Sequence, residues 1–133
     1  MMVISSEKED FRSAQQIPVY QRALELGKMV NEFTRKIYEA KQGGPEVDLL
    51  HRSASLIAPK IAGGHCLGYS EEFLGKNIRL CREALKACSE CERLLTEVLG
   101  RSFAALNTLS LQETTRQVFD EITAWIKDLE SRQ

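Results

Sequence analysis

The hydrophobic positions along the chain recur at the spacing of α-helices. In the first periodic segment, from about Pro18 to Gln42, apolar residues return every three or four positions and share one helix face: Ala23, Leu26, Val30, Phe33, Ile37 and Ala40. Pro18 suits the first helical turn, because its missing N–H would be unpaired there in any case. Gly43 and Gly44, followed by Pro45, predict the end of this helix.

A second helix is predicted to start near Pro45. Its apolar stripe consists of Val47, Leu50, Ala54, Ile57 and Ile61. Pro59 lies inside the pattern and is expected to kink this helix or to shorten its last turn. Gly63 and Gly64 are expected to close it, and the loop that follows leads to Ser70, a good N-cap for a third helix.

The third predicted helix, from Ser70 to about Leu99, has two apolar stripes instead of one. The first stripe consists of Phe73, Leu80, Ala84, Ala87, Cys91, Leu94 and Val98. The second consists of Leu74, Ile78, Cys81, Leu85, Cys88, Leu95 and Leu99. An apolar face this wide exceeds what one packing neighbour needs. We therefore expect this helix either to lie centrally in its own bundle or to serve a second interface with another chain.

The fourth helix completes an all-α fold. Gly100 is expected to end the third helix, and Ser110 with Glu113 three residues later has the form of a capping box. Four helices joined by short loops predict an antiparallel up-down-up-down four-helix bundle. Residues 17–133 are assigned to this bundle and residues 1–16 to a polar tail or a short extra helix.

Composition and charge exclude several classes of protein. The 133 residues are the length of one domain. Eighteen Lys and Arg against nineteen Asp and Glu give a net charge of −1, which excludes a strongly basic surface for nucleic acid. Most charges alternate in sign along the helices, as in Glu72 with Lys76 and Arg93 with Glu97, and this favours a solvated face. A modest basic set remains as a candidate for phosphate contacts: Arg52, Lys60, Lys76, Arg79 and Arg82.

The sequence predicts a cytoplasmic protein that does not enter a membrane. No apolar run approaches the eighteen or so residues of a membrane span. The first ten residues are too acidic and too short in apolar residues for a signal peptide. The four cysteines, Cys66, Cys81, Cys88 and Cys91, are therefore expected to be free thiols.

Cys88 and Cys91 form a C-x-x-C pair, a pattern that occurs in metal and redox sites. A zinc site needs about four ligands, and the nearest others in sequence, His65 and Cys66, would lie roughly 27 Å away at helical rise. The pair also lies in mid-helix on the apolar stripes, which favours buried core cysteines. Neither histidine, His51 or His65, belongs to a sequence-local triad. We expect no metal, no cofactor and no catalytic residues.

The glycine-rich loop after the second helix is the remaining candidate for ligand binding. It spans residues 63–68 and lacks the G-x-x-x-x-G-K-[ST] pattern and the preceding strand with which such loops cradle phosphate. A plain turn between helices is the favoured interpretation.

Several short motifs occur in order along the chain. Residues 19–26 read VYQRALEL, residues 50–55 read LHRSAS and residues 61–64 read IAGG. Ser70 is followed by Phe73, and residues 89–92 read SECE. With these motifs, the region from about Val19 to Leu129 resembles the four-helix bundle proteins encoded in 23S ribosomal RNA intervening sequences. The resemblance implies a homopentamer with no known catalytic activity. The related accessory variability determinant proteins of diversity-generating retroelements imply binding to a reverse transcriptase and to nucleic acid.

Two functional hypotheses follow. The first is a non-catalytic, self-assembling bundle that acts as a scaffold or adaptor, with an oligomer interface on the third helix at Phe73, Leu74, Ile78, Cys81 and Leu85. The alternative is an accessory protein that binds RNA or a reverse transcriptase through the mixed basic set. An enzyme or metal protein built on Cys88 and Cys91 is the least favoured hypothesis.

Overall fold

The computed structural model describes residues 11–103, 106 and 108–133, and every regular element in that part of the chain is helical. The elements are α1 (Phe11–Ala14), α2 (Pro18–Glu39), α3 (Pro45–Leu67), α4 (Leu74–Arg93), a π-helical segment (Leu94–Leu99), α5 (Gly100–Ser102) and α6 (Thr108–Glu130). The all-α prediction is confirmed. Within the predicted N-terminal tail, α1 packs against α3, whereas residues 1–10 lie outside the described residues.

Neighbouring long helices run in opposite directions. On α2 and α3, Thr34 lies beside His51 and Gly27 lies beside Ala54, so residue numbers fall on one helix as they rise on the other. Helices α3 and α4 are also antiparallel, as the pairs Lys60–Glu83 and Gly64–Asn77 show. The pairs Arg82–Glu130 and Leu95–Gln112 show the same for α4, with the segment that follows it, and α6. Short connections between sequential helices produce this arrangement.

The four long helices form a closed ring of contacts around one core. Helix α2 packs on α3, α3 on α4, α4 on α6, and α6 on α2. The largest fully buried hydrophobic side chains come from α2, α3, α6 and the π-helical segment: Leu26, Ile37, Leu50, Ile57, Ile61, Leu94, Leu95, Ile122 and Leu129. Helix α4 contributes the smaller buried side chains of Cys81, Ala84, Cys88 and Cys91. Both apolar stripes of the third predicted helix are used within this ring, because α4 and the π-helical segment contact α3 on one side and α6 on the other.

The boundary between α3 and α4 differs from the predicted one. Helix α3 continues past Pro59 and through Gly63 and Gly64 to Leu67, and it ends at Gly68, whose φ of 100° is a conformation that favours glycine. Gly64 serves a different purpose: it lets α3 approach α4, because a Cβ there would lie 2.4 Å from the Asn77 side-chain oxygen. The predicted helix end at Gly63 and Gly64 is therefore wrong.

Ser70 is not the N-cap of the next helix. Helix α4 begins at Leu74, after a turn in which the Ser70 carbonyl accepts hydrogen bonds from the backbone N–H groups of Phe73 and Leu74 at 3.0 and 2.8 Å. The Ser70 hydroxyl is buried and has no hydrogen-bond partner among the residues that the structure describes. The main chain of Ser70, instead of its side chain, therefore stabilises the entry to α4.

Gly100 lies within helical structure and does not end it. After Arg93 the chain continues as the π-helical segment and then as α5. The Leu95 carbonyl in this segment accepts a hydrogen bond from the Gln112 side-chain amide of α6 at 3.1 Å. Gly100 leaves room for that contact, since a Cβ there would lie 2.2 Å from the Leu95 oxygen and 2.9 Å from Gln112 Nε2.

Two other helix ends differ from the predicted ones by two or three residues. Helix α2 ends at Glu39 instead of Gln42, because Lys41 adopts a left-handed conformation with φ of 58°. Helix α6 begins at Thr108, so Ser110 is already inside it.

Candidate functional site

A groove between α2 and α3 encloses about 290 Å³. Its floor consists of small buried side chains, among them Ala23, Ala54 and Ala58. The complete lining is Ala23, Leu24, Gly27, Lys28, Asn31, His51, Ala54, Ser55, Ala58 and Pro59. We call this depression the α2–α3 groove.

Small residues at the seam explain why the groove exists. A Cβ on Gly27 would lie 3.9 Å from the backbone oxygen of Ala54, so the two helices approach closely there. Short side chains bring helix backbones together but leave the outer surface of the seam unfilled. The rim keeps longer side chains, including Leu24, which is 40% exposed.

The outer face of α3 carries little charge in the half of the helix that follows Arg52. It consists of Ser55, Leu56, Pro59 and Gly63, and we call it the α3 face. The first three are exposed, and Leu56 is 43% exposed. It borders the α2–α3 groove on one side and, on the other, a depression between α3 and α4 to which Leu56 and Ala87 contribute. The α3 face is therefore an apolar surface with a depression on each side.

The sequence contained an indication of this face that the periodicity did not reveal. The eighteen residues between Arg52 and Glu71 include one charged side chain, Lys60. At the chain average of 28% charged residues, a stretch of that length would contain about five. Low charge on a helix that has an exposed side points to a face that another surface covers.

The predicted oligomer interface on the third helix requires correction. Leu74, Ile78 and Cys81 are buried in the core of the chain itself, because α4 packs between α3 and α6. Leu85 is partly buried against the same core, and Phe73 is half-buried. The prediction is therefore wrong for the three core residues, and the two others do not form an apolar patch without them.

The structure does not bring the five predicted phosphate-binding residues together. Lys60 pairs with Glu83 at 2.7 Å, and Arg82 pairs with Glu130, so a carboxylate partly neutralises each cation. Arg52 lies two turns before Lys60 on α3, farther from the start of α4. At helical rise this places Arg52 roughly 20 Å along the bundle from Lys76. Two of the five predicted residues remain, Lys76 and Arg79, and both lie on α4. Both are exposed, and neither forms an ion pair within the described residues.

The ion pairs on the surface are of two kinds: some follow a single helix, with partners three or four residues apart, and others join two helices. Four of them cross between helices, namely Arg22–Glu121, Lys60–Glu83, Arg82–Glu130 and Arg116–Glu92. The predicted partner of Arg93 was Glu97, whereas its side chain pairs with Glu90 at 2.6 Å. Exposed pairs of this kind contribute about 0–1 kcal/mol each.

The C-x-x-C pair lies in the core. Cys88 and Cys91 are fully buried, as is Cys81, and the Cys88 thiol donates a weak hydrogen bond to the Thr115 carbonyl at 3.4 Å. Burial raises the pKa of Cys81 to about 11 and that of Cys88 to about 12, and it raises the pKa of Cys91 as well. The interpretation of the pair as buried core cysteines is confirmed. All four cysteines are free thiols.

These thiol pKa values predict slow reaction of three cysteines in the folded protein. A raised pKa keeps a thiol protonated at pH 8, and the thiolate is the reactive form. We expect about one thiol per chain, that of the half-buried Cys66, to react with a disulfide reagent under native conditions, and four to react in denaturant. A Cys66→Ser variant should lose the fast phase. Rapid reaction of two or more native thiols would contradict the buried placement.

A chain of hydrogen bonds centres on His65 at the end of α3. Its Nε2 lies 2.8 Å from the Ser13 hydroxyl of α1, and its Nδ1 lies 2.5 Å from the Tyr69 hydroxyl. Tyr69 in turn packs edge-on against Trp125 of α6, and the Arg132 guanidinium lies over its ring. The imidazole is buried. We interpret this cluster as a structural tie, because it joins α1, α3, the loop after α3 and α6.

The described residues contain neither a cluster of metal ligands nor a helix that could span a membrane. No group of three or more His, Cys, Asp or Glu side chains there is arranged to hold a metal ion. None of the described helices is long and apolar enough to cross a lipid bilayer.

Comparison with known proteins identifies no relative of this chain. No protein-family model matches it, and neither the curated proteins nor the solved structures include a significant match.

Proposed function

We propose that this chain is a non-catalytic, self-assembling helical bundle that acts as a scaffold or adaptor in the cytoplasm. The α3 face carries the proposal, because it exposes Leu56 on a surface without charged side chains, and the centres of protein interfaces are depleted in charge. The proposal agrees with the resemblance to the bundle proteins of ribosomal RNA intervening sequences, which implies a homopentamer.

The character of the α3 face supports a protein partner. The α3 face contains the exposed Leu56 and no charged side chain, and the exposed Leu24 lies across the α2–α3 groove from it. Interface centres are depleted in charged residues, and this face shares that property. A partner that covers it would bury leucine side chains at about 25 cal/mol per Å² of apolar area.

A second copy of the chain is the partner that we propose. Its net charge of −1 means that copies do not repel each other strongly. Surface charges of both signs surround the α3 face, with Arg52 and Lys60 on α3 and Glu83 and Glu90 on α4. Such a mixed rim can face the mixed charges on the surface of a second copy.

Light scattering coupled to size exclusion tests the proposal. We expect the protein at micromolar concentration to elute with a mass that is a multiple of 15.1 kDa. A Leu56→Glu variant should shift toward the monomer, because the glutamate would place a charge in the buried interface. Ala124→Glu, at an exposed position of α6, is the matched control and should keep the wild-type mass. A wild-type monomer at these concentrations would refute self-assembly.

Binding of nucleic acid is the alternative, and one observation favours it. Lys76 and Arg79 lie one turn apart near the start of α4 with their charges exposed. Phosphate contacts release counterions, so binding to RNA through them should weaken by more than tenfold between about 50 and 200 mM salt. Paired substitutions Lys76→Gln and Arg79→Gln should abolish that binding. Affinity that does not change with salt would exclude this alternative.

A further inference from the structure

The chain has a second exposed apolar feature, which lies on a different side from the α2–α3 groove. Leu109, in the first turn of α6, is 62% exposed, and Leu106 just before the helix is also exposed. We call Leu106 and Leu109 the α6 knob. Leu109 is the most exposed large hydrophobic side chain among the described residues, so this feature is a candidate for contact with a partner surface.

The α6 knob and the α2–α3 groove lie at two different seams of α2, and Lys28 stands between the two seams. Leu106 lines a depression with Met29 and Phe33, where α2 meets α6, whereas the groove lies where α2 meets α3. The knob of one chain therefore cannot enter the groove of the same chain. A second copy can supply it.

The groove has the size and the lining that the knob requires. A cavity of about 150 Å³ with apolar walls is large enough to hold benzene, and this groove encloses about 290 Å³. Its floor of alanines and Gly27 offers apolar contact without side chains that would block a leucine. A protruding side chain is thus matched by a recess of suitable chemistry.

Charge beside each feature favours the same pairing. Glu113 follows Leu109 by one turn and lies on the same side of α6, and Lys28 lies on the rim of the groove. Both side chains are exposed, and neither forms an ion pair within the described residues. In a complex that inserts Leu109 into the groove, opposite charges at the rim would orient the two chains.

We infer that copies of this chain join head to tail, with the α6 knob of one copy in the α2–α3 groove of the next. The inference rests on the proposed self-assembly and specifies its geometry. A contact between two different surfaces is heterologous, so it continues from chain to chain until a ring closes or a filament grows. Three or more chains per assembly follow from a closed ring of this kind.

Two complementary variants test the geometry. Leu109→Glu damages the knob and keeps the groove, and glutamate is favourable in the first turn of a helix. Ser55→Glu, at an exposed rim position, damages the groove and keeps the knob. Ala124→Glu and Ser89→Glu, at exposed positions of α6 and α4, are the matched controls. All variants should keep the helical circular dichroism of the wild type.

The masses of single and mixed samples decide the outcome. We expect the wild type and both controls to form assemblies of at least three chains, and each damaged variant alone to be a monomer of 15.1 kDa. An equal mixture of the two damaged variants should form a dimer of twice that mass and nothing larger, because only one intact knob and one intact groove can meet.

Other outcomes would overturn the head-to-tail contact. Damaged variants that keep the wild-type mass would place the interface elsewhere on an assembling protein. A mixture that stays monomeric, or that regains the full assembly, would exclude this pairing of surfaces. A monomeric wild type would instead refute the proposed self-assembly itself, so the two failures are distinguishable.

Discussion

Replacing Gly64 with alanine is expected to destabilise the folded chain by about 3 kcal/mol, at the upper end of the cost of overpacking a core. The added Cβ would lie 2.4 Å from the Asn77 side-chain oxygen and 3.0 Å from its backbone oxygen. Asn77 cannot easily move away, because it is fully buried and its side-chain amide donates to the Gly68 carbonyl at 3.0 Å. Helices α3 and α4 must therefore separate.

The adjacent residue provides the control for Gly64. A Cβ on Gly63 would meet only Leu80 Cδ1 at 3.5 Å, which is ordinary van der Waals contact. Gly63→Ala should therefore stabilise the helix by up to about 1 kcal/mol, as alanine does at tolerant helical positions. Urea unfolding at one fixed protein concentration measures both. Equal stabilities of the two variants would show that α3 and α4 do not approach as closely as described.

Gly100→Ala is expected to cost about 2 kcal/mol of unfolding free energy, again through overpacking. The backbone of Gly100 is helical, with φ −59° and ψ −33°, so alanine suits its conformation. The loss of stability comes from steric overlap. A Cβ would lie 2.2 Å from the Leu95 oxygen and would also crowd the Gln112 amide that donates a hydrogen bond to that oxygen. The variant must displace Gln112 or rearrange the π-helical segment.

Gly75→Ala is the matched control for Gly100→Ala. Gly75 lies in the first turn of α4, and a Cβ there has no neighbour within 4 Å. Its replacement should leave stability unchanged or raise it slightly. Thermal unfolding of the two variants should differ by several degrees, with Gly100→Ala the lower. A Gly100→Ala variant as stable as Gly75→Ala would contradict the close contact between Leu95 and Gln112.

The helices were predictable because their apolar positions follow a local rule. Residues three and four apart share a helix face whatever the rest of the chain does, so Leu26, Val30 and Ile37 indicated the buried side of α2 without tertiary information. All three are buried. The helix ends were less predictable. Gly64 and Gly100 resemble helix ends in sequence, but each is required by a contact with a residue distant in the chain.

The candidate surface was only partly predictable. The low charge between Arg52 and Glu71 is visible in the sequence, but the number of neighbours that surround each helix is not. The periodicity of apolar residues predicted a second interface on α4, because that helix has a wide apolar face. Because α4 packs against both α3 and α6, Leu74, Ile78 and Cys81 are buried within the chain, and the exposed leucines lie on other helices.

The sequence by itself determined the all-helical fold, the buried stripes and the location of the cysteines within a stripe, because these depend on spacing along one helix. Only the tertiary structure decided which helix is left with an uncovered apolar face. That outcome depends on how the four helices are arranged around the core, and so on contacts between residues far apart in the chain. The pairing of the α6 knob with the α2–α3 groove is an inference of the same kind, since it depends on two surfaces that are formed only when the bundle folds.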